Sequence, residues 1–494
     1  MNNSFYSQEW LNLSKTLGGI YPWYDTTSSH PMFTLDLSQI LTERKKNGIK
    51  LDLDLASIIN RVYLPFLISN RTLIEGIERS PWMSYPENKK WYQHSLPSHN
   101  KYTPDRRGFT LELKTALLKE ITKFINSKLN VGILLCGGMD SRVLAGILRE
   151  YQINIDPDIK VTCISWGSSS SRDVNYAQKI ALRFDWEWEH IEITAETLHE
   201  NIRLSANNGA EVSPMHYHAM KKVSKLRGLD LILAGSYGDS VGRGEYSGTH
   251  ISNLKDLTFR GKDQFGLLKI TAKNEFIPIL EKEILKHFDF EYSIRRHEIQ
   301  QQQHYLRRML QSCMMEITKK TPLYQIFTTP EVFGKFWSLH PRIRDDQWYI
   351  LLLQELPGNL LDIPWARTGL RYGQKKGSPD HFTKRYHSYG KWLRTDLRKE
   401  IIDAVNSPTI RSLNVFNNKS LDQAISLWER STTNSVNYYD ELFSWLTTLK
   451  YFIEDNNIII PNNSFPEEIM DLLNSLKGKI YGELYVRARN FKRS

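Results

Sequence analysis

The chain has 494 residues, 65 Lys and Arg against 55 Asp and Glu for a net charge of +10, and a hydrophobic fraction of 40%. That length allows two or three domains and that composition fits a soluble globular protein; no eighteen-residue apolar run marks a membrane span, and the start Met1-Asn2-Asn3 has no signal-peptide character. Three cysteines, Cys136, Cys163 and Cys313, exclude a disulfide framework and a CxxC metal site and suit a reduced, cytosolic setting.

Residues 1 to about 110 are rich in aromatic and polar side chains. Apolar spacing predicts a helix over 53–67, turns at Ser80-Pro81-Trp82, and an exposed linker at 95–100. A helix follows over 110–127, with Thr110 as its cap. Val131 to Leu135 reads as a short buried strand, Gly137-Gly138 as a turn, and Arg142 to Glu150 as a helix. Further strands are expected at 160–166, 187–193 and 230–234, with helices at 173–184 and at 213–226, where Ser213-Pro214 makes a helix start. This alternation implies an α/β fold: a mostly parallel sheet with helices on both faces. From about 255 the pattern is mainly helical, with helices expected at 264–287, 294–318, 346–355, 398–405, 420–430, 436–454 and 466–475. The expected division is 1–109, an α/β core at 110–255, and a helical part at 256–494.

The chemistry concentrates in Leu135-Cys136-Gly137-Gly138-Met139-Asp140-Ser141. A strand, a glycine turn and a helix N-terminus in that order make an anion site, because free N–H groups and the helix dipole favour negative charge. Asp140 would repel a bare phosphate, so its presence implies Mg²⁺ between carboxylate and phosphate oxygens. No Lys follows the glycines, so this is not a Walker loop. A second glycine loop, Gly235-Ser236-Tyr237-Gly238-Asp239, leaves the strand at 230–234, at the edge where such sheets bind ligands.

The first loop resembles the Ser-Gly-Gly-x-Asp-Ser pyrophosphate loop of the PP-loop ATP pyrophosphatases, with Cys136 in the first Ser position. Together with Ala234 to Asp239 and the late segment Ile363-Pro364-Trp365-Ala366-Arg367-Thr368-Gly369, it resembles the synthetase domain of the asparagine synthetase family over roughly residues 50–400. The resemblance implies ATP and Mg²⁺, with the substrate carboxylate adenylated and an amine or ammonia displacing AMP. It implies that Cys136, Gly137, Gly138 and Ser141 form the pyrophosphate loop, Asp140 and Asp239 hold the metal, and Leu135, Ile164 and Gly235 line the adenine side. Arg367 would then meet the pyrophosphate. Ser236 and Ser240 stand where the family carries Glu; Tyr237 is one position late for the Tyr that some relatives use there. No Cys precedes Cys136, so the expectation is a synthetase whose glutaminase half is lost or reduced. The nitrogen would come from free ammonia, an amine in a second substrate, an amine within the same substrate, or a separate donor protein. His216 and Tyr217 are candidate acceptor contacts or proton carriers, with core packing as the bland alternative.

The charge of +10 reads either as a nucleic-acid footprint or as a solvated surface around an ATP cleft. Basic clusters occur at Arg295-Arg296, Lys375-Lys376 and 487–493, but no basic helix interleaved with aromatics stands out, which favours the second. A PP-loop tRNA-modifying enzyme and a degenerate ATP-binding partner subunit are the alternatives to the ligase.

Overall fold

The computed structural model describes residues 21–27, 33–87, 90–93, 98–99, 101–102, 104–125, 129–259, 263–285, 293–374, 376–432 and 434–491. The chain's first residues, most of the linker at 95–100, the ends of the helices expected at 110–127 and 264–287, Lys375 and residues 492–493 lie outside them.

Five parallel strands form the central sheet: β1 (Asn130–Leu134), β2 (Lys160–Trp166), β3 (Glu187–Ile191), β4 (Leu231–Ala234) and β5 (Leu323–Gln325), in the order β5-β4-β1-β2-β3. The runs of β1, β4 and most of β2 are apolar because both faces are covered, whereas β3, at the edge, leaves Glu187 and Glu189 exposed. Leu134, Ile164, Ile232 and Ala234 enter one core, shared with side chains from 23–77, 191–223, 267–284 and 389–465. Val131, Ile133, Leu135, Val161, Cys163, Leu231 and Leu233 enter the other, shared with 109–151, 174–186 and 294–366. The chain winds outward through β1, β2 and β3, then returns to lay β4 and β5 on the far side of β1. The direction of winding therefore reverses between β1 and β4, which opens a crevice at their carboxyl ends.

The flanking helices that matter here are α1 (Met139–Asn154), α2 (Arg172–Phe184), α3 (Ala195–Asn207), the short α4 (Gly238–Arg243), α5 (Tyr438–Asn456) and α6 (Ile469–Phe491). Residues 21–79 add a small antiparallel sheet, with strands Trp23–Asp25, Phe33–Thr34 and Ile77–Arg79, and pack into the first core. Among the described residues no helix is long and apolar enough to cross a membrane.

Several expected elements differ. The helix expected at 53–67 is Leu55–Tyr63, capped by Asp54, and it stops before Pro65. The one expected at 110–127 begins at Arg106; Asp105 caps it through the N–H groups of Arg107 and Gly108, and Thr110 lies inside, donating to the Arg106 carbonyl at 2.7 Å. The stretch 213–226 is not one helix: a 3₁₀ turn Pro214–Tyr217 ends at His218, whose φ of 43° breaks the run before the short helix Met220–Val223. The helix at 294–318 is continuous but π-helical over Gln301–Gln311. The last helix begins at Ile469 and runs to Phe491 rather than ending near 475, because Gly478 and Gly482 serve packing and do not break it. Strand β5 and the helix Pro330–Ser338 were not anticipated.

Candidate nucleotide site

The first loop leaves β1 and enters α1, with Gly138 as an N-cap that makes no side-chain cap. The loop is tied by its own side chains. The Cys136 N–H donates to Ser141 Oγ at 3.3 Å, and Ser141 Oγ donates to the Cys136 carbonyl at 3.1 Å. The Cys136 thiol accepts from the Gly138 N–H and is pushed up to about 12 by burial, which removes it as a nucleophile at neutral pH. Leu135 donates its N–H to the Ile164 carbonyl at 2.9 Å, and the Ile164 side chain is fully buried beneath the crevice.

The second loop touches the first. A methyl group on Gly235 would stand 2.9 Å from the Ser141 nitrogen, and one on Gly238 only 2.6 Å from Asp140 Cβ. Glycine at 238 is what lets the two loops meet, and it puts Asp140 and Asp239, each in the first turn of its helix, against the same space. One oxygen of Asp140 is buried without a hydrogen-bond partner. Burial, with Asp239 and Glu245 adding and Arg243 opposing, pushes the Asp140 carboxyl up to about 7. Asp239 remains partly open to solvent and is raised by loss of surrounding water against the pull of Arg243.

Arg243 was not anticipated. It lies four residues after Asp239 on α4, buried, with Nε 3.8 Å from Asp140 Oδ1 and Nη2 4.0 Å from Asp239 Oδ2. Its Nη1 also reaches Glu245 at 3.4 Å and Asp346 at 3.0 Å. Burial opposes its charge, but Asp140 and Asp239 more than offset this and hold its pKa above the ordinary guanidinium value. The only hint in the sequence was one basic residue inside a glycine-rich stretch.

Arg367 lies at the rim instead, about half exposed, paired to Glu245 at 2.7 Å. Its neighbour Ala366 donates its N–H to the Gly137 carbonyl at 3.2 Å, so the late segment does reach the loop, through backbone. Arg142, which the sequence did not single out, clamps that contact: its guanidinium is buried and donates to the carbonyls of Leu360, Ile363, Pro364 and Gly137. Tyr237 has a φ of 72° and turns its ring into the core towards Arg307, Tyr21 and Cys313, away from the carboxylates. Tyr217 is likewise buried, whereas His216 is only partly covered and bonds Glu441 at 3.1 Å.

A strap, residues 364–374 and 376–389, roofs the crevice. Its far end is stitched to the turn after β2 by Thr383 N to Ser170 O at 3.0 Å, Arg172 N to Thr383 O at 2.8 Å and Ser168 N to Tyr386 O at 2.8 Å. Below it a cavity of about 200 Å³ is lined by Leu135, Cys136, Ser165, Trp166, Asp173, His218 and Tyr386. Asp173 there is raised by burial, which the Gly137 N–H and Lys384 oppose. A larger cavity of about 740 Å³ shares His218 and Tyr386 with it and adds His216, His387, Tyr389 and Glu441. His218 and His387 are depressed by burial to about 3 and about 4, so both are neutral at pH 7. A third cavity of about 520 Å³, near Asp54, Arg71 and Glu283, contains no residue of either loop.

The donor set fits a magnesium ion carried in with phosphate. Among the described residues no group of three or more His, Cys, Asp or Glu side chains forms a cage. Two carboxylates, one with a buried oxygen that makes no hydrogen bond, suit an ion that takes its remaining ligands from phosphate and water.

Residues 112–329 match the family model described as asparagine synthase. No curated protein matches the chain. Among solved structures, the U34-tRNA thiolase NcsA from Methanococcus maripaludis with its [4Fe-4S] cluster is similar at 13% identity and a TM-score of 0.26, over 66% of this chain and 79% of that one.

Proposed function

We propose that the protein is an ATP-dependent ligase that adenylates a substrate carboxylate, releases pyrophosphate, and lets an amine or ammonia displace AMP to form an amide. One observation carries this reading. Asp140 and Asp239, with one buried carboxylate oxygen making no hydrogen bond, face a single space beside the uncapped N-terminus of α1, where the sheet reverses its winding.

The N–H groups of the first turn of α1 favour the negative charge that builds on pyrophosphate as it leaves. Asp140 and Asp239 are the residues to hold Mg²⁺, which when bound would neutralise phosphate charge. Arg243 and Arg367 add fixed positive charge on the same side. The cavity at Leu135, Ser165 and Trp166 takes the adenine, and the larger one beyond His218 and Tyr386 takes the acyl and amine partners. There His216, oriented by Glu441, accepts the proton that the attacking amine must lose. The amine is a small molecule, ammonia, or the product of a separate donor protein.

The test is exchange of labelled pyrophosphate into ATP, with Mg²⁺ and a panel of carboxylates. Exchange with one of them, and its loss in Asp140→Ala, is the expected result. Release of ADP in place of AMP, or no AMP with any carboxylate and amine, refutes the ligase. A second reading, nucleotide binding without turnover, is favoured by Arg243, which sits where it competes with a metal ion. Tight Mg·ATP binding with no exchange across the panel would select it.

A further inference from the structure

The final helix is oriented against the usual rule for a surface helix. Its inward face is small or polar: Asp471, Ser475, Gly478, Gly482 and Val486. That orientation is locked. A methyl group on Gly478 would stand 2.1 Å from the Phe265 carbonyl oxygen, and one on Gly482 would stand 2.6 Å from Leu427 Cδ1, so α6 cannot rotate without losing its seat. The apolar residues consequently face water: Ile469 is 80% exposed, Leu472 49%, Leu473 44%, Leu476 52%, Ile480 62% and Leu484 61%. Several of them recur at three- and four-residue intervals, the spacing of a seam between helices. A contiguous apolar stripe on a helix of 23 residues, about 35 Å long, marks an interaction surface.

The charges along the helix identify what covers it. The exposed Glu467 and Glu468 stand just before the helix, and Asp471, the one acid in its first half, is buried on the inward face. Residues 477–491 carry Lys477, Lys479, Arg487 and Arg489, with Glu483 as the one acid. A parallel pair would set Lys477 against Lys477 and Glu483 against Glu483, whereas an antiparallel pair sets each Lys477 against Glu483 of the other copy. With the two-fold axis at Ile480, Leu476 faces Leu484, Leu472 faces Ala488, and Lys477 faces Glu483. Lys477 is exposed and Glu483 partly so, the latter within 3.9 Å of Arg430 in its own chain. Each of these contacts occurs twice across the axis, as a self-complementary interface requires.

We infer that two copies of this chain pair through the outward faces of α6, antiparallel and centred on Ile480. This surface is independent of the ligase reading. Sedimentation equilibrium of the full chain at micromolar concentration tests it. The chain is expected at twice its own mass, and Ile480→Glu, an exposed position, is expected as a monomer with an unchanged circular dichroism spectrum and thermal transition. Lys477→Glu sets Glu against Glu483 twice per dimer and should weaken pairing by about tenfold. Glu483→Lys should do the same, and mixing these two single variants should restore pairing, because each then meets its opposite charge. A wild-type chain that stays monomeric, or a dimer that survives Ile480→Glu, overturns the inference; failure of the mixed variants to pair overturns the register. Monomers that bind phospholipid vesicles through this face would also overturn it, in favour of a membrane surface.

Discussion

Replacing Arg243 with alanine separates its charge from the rest of the site. The guanidinium stands 3.8 Å from Asp140 and 4.0 Å from Asp239, so an ion bound between the carboxylates lies roughly 4 Å from a fixed positive charge. Repulsion between +2 and +1 at that distance is about 2 kcal/mol in water and about 8 kcal/mol at an effective dielectric of 20. The Asp239 side opens to solvent, which makes the lower figure the working one, or about 30-fold in affinity. Arg243→Ala should therefore bind Mn²⁺ about 30-fold more tightly than the wild type when no nucleotide is present. The assay is electron paramagnetic resonance of free Mn²⁺, with Mg²⁺ as competitor, at about pH 8.5 so that carboxylates with raised pKa values are ionised. Arg243→Ala combined with Asp140→Asn should return affinity towards the wild-type level. Unchanged or weaker Mn²⁺ binding in Arg243→Ala would refute the reasoning, because it would mean that the guanidinium does not compete with a metal.

Gly238→Ala places a methyl group 2.6 Å from Asp140 Cβ; the two loops must part, at a cost of about 1–3 kcal/mol in unfolding free energy, with Mg·ATP binding by calorimetry reduced at least tenfold. Cys136→Ser should leave nucleotide binding within a factor of about three, and iodoacetamide should modify the wild-type thiol slowly at pH 8, because burial holds it protonated. His218 has its folded pKa lowered to about 3, so protonation favours the unfolded chain. Its effect is absent above the unfolded pKa near 6.5; below it, stability falls by up to about 1.4 kcal/mol per pH unit down to about pH 3. Urea unfolding between pH 7 and pH 4 reads this slope, which should be shallower in His218→Gln.

The inner strands were legible because they are buried on both faces and read as short apolar runs, while β3, at the edge, shows exposed Glu187 and Glu189 alternating with more covered Trp188 and His190. Strand β5, three residues long, was not, because nothing local distinguishes Leu323-Tyr324-Gln325 from a loop. The helix expected across 213–226 fails at His218, whose positive φ is set by a tertiary bond from Asn201 to its carbonyl and by stacking on Tyr389, neither visible in local sequence. Both loops were found from glycine spacing, and the contact at Gly238 gives that spacing its physical reason. Arg243 and Arg142 were missed, since a basic residue in a helix reads as surface until its carboxylate or carbonyl partners are known. Tyr237 was a candidate by position alone; the backbone conformation there turns its ring inward.

The strap is held at two abutments, one where Ala366 meets Gly137 and the other where Thr383 and Tyr386 meet the turn after β2. Of the span between them, Asp380 is moored, to Tyr176, while Arg371, Gly373 and Gln374 are exposed. A bridge built this way can change its deck without moving its foundations. Insertions or exchanges near 371–374 would remodel the outer surface of the strap while leaving the backbone contact at Gly137 in register. The residues of the strap that line the cavities, Lys384 to Tyr389, belong to an abutment, so the cavity walls stay fixed with the loop while the outer span can drift.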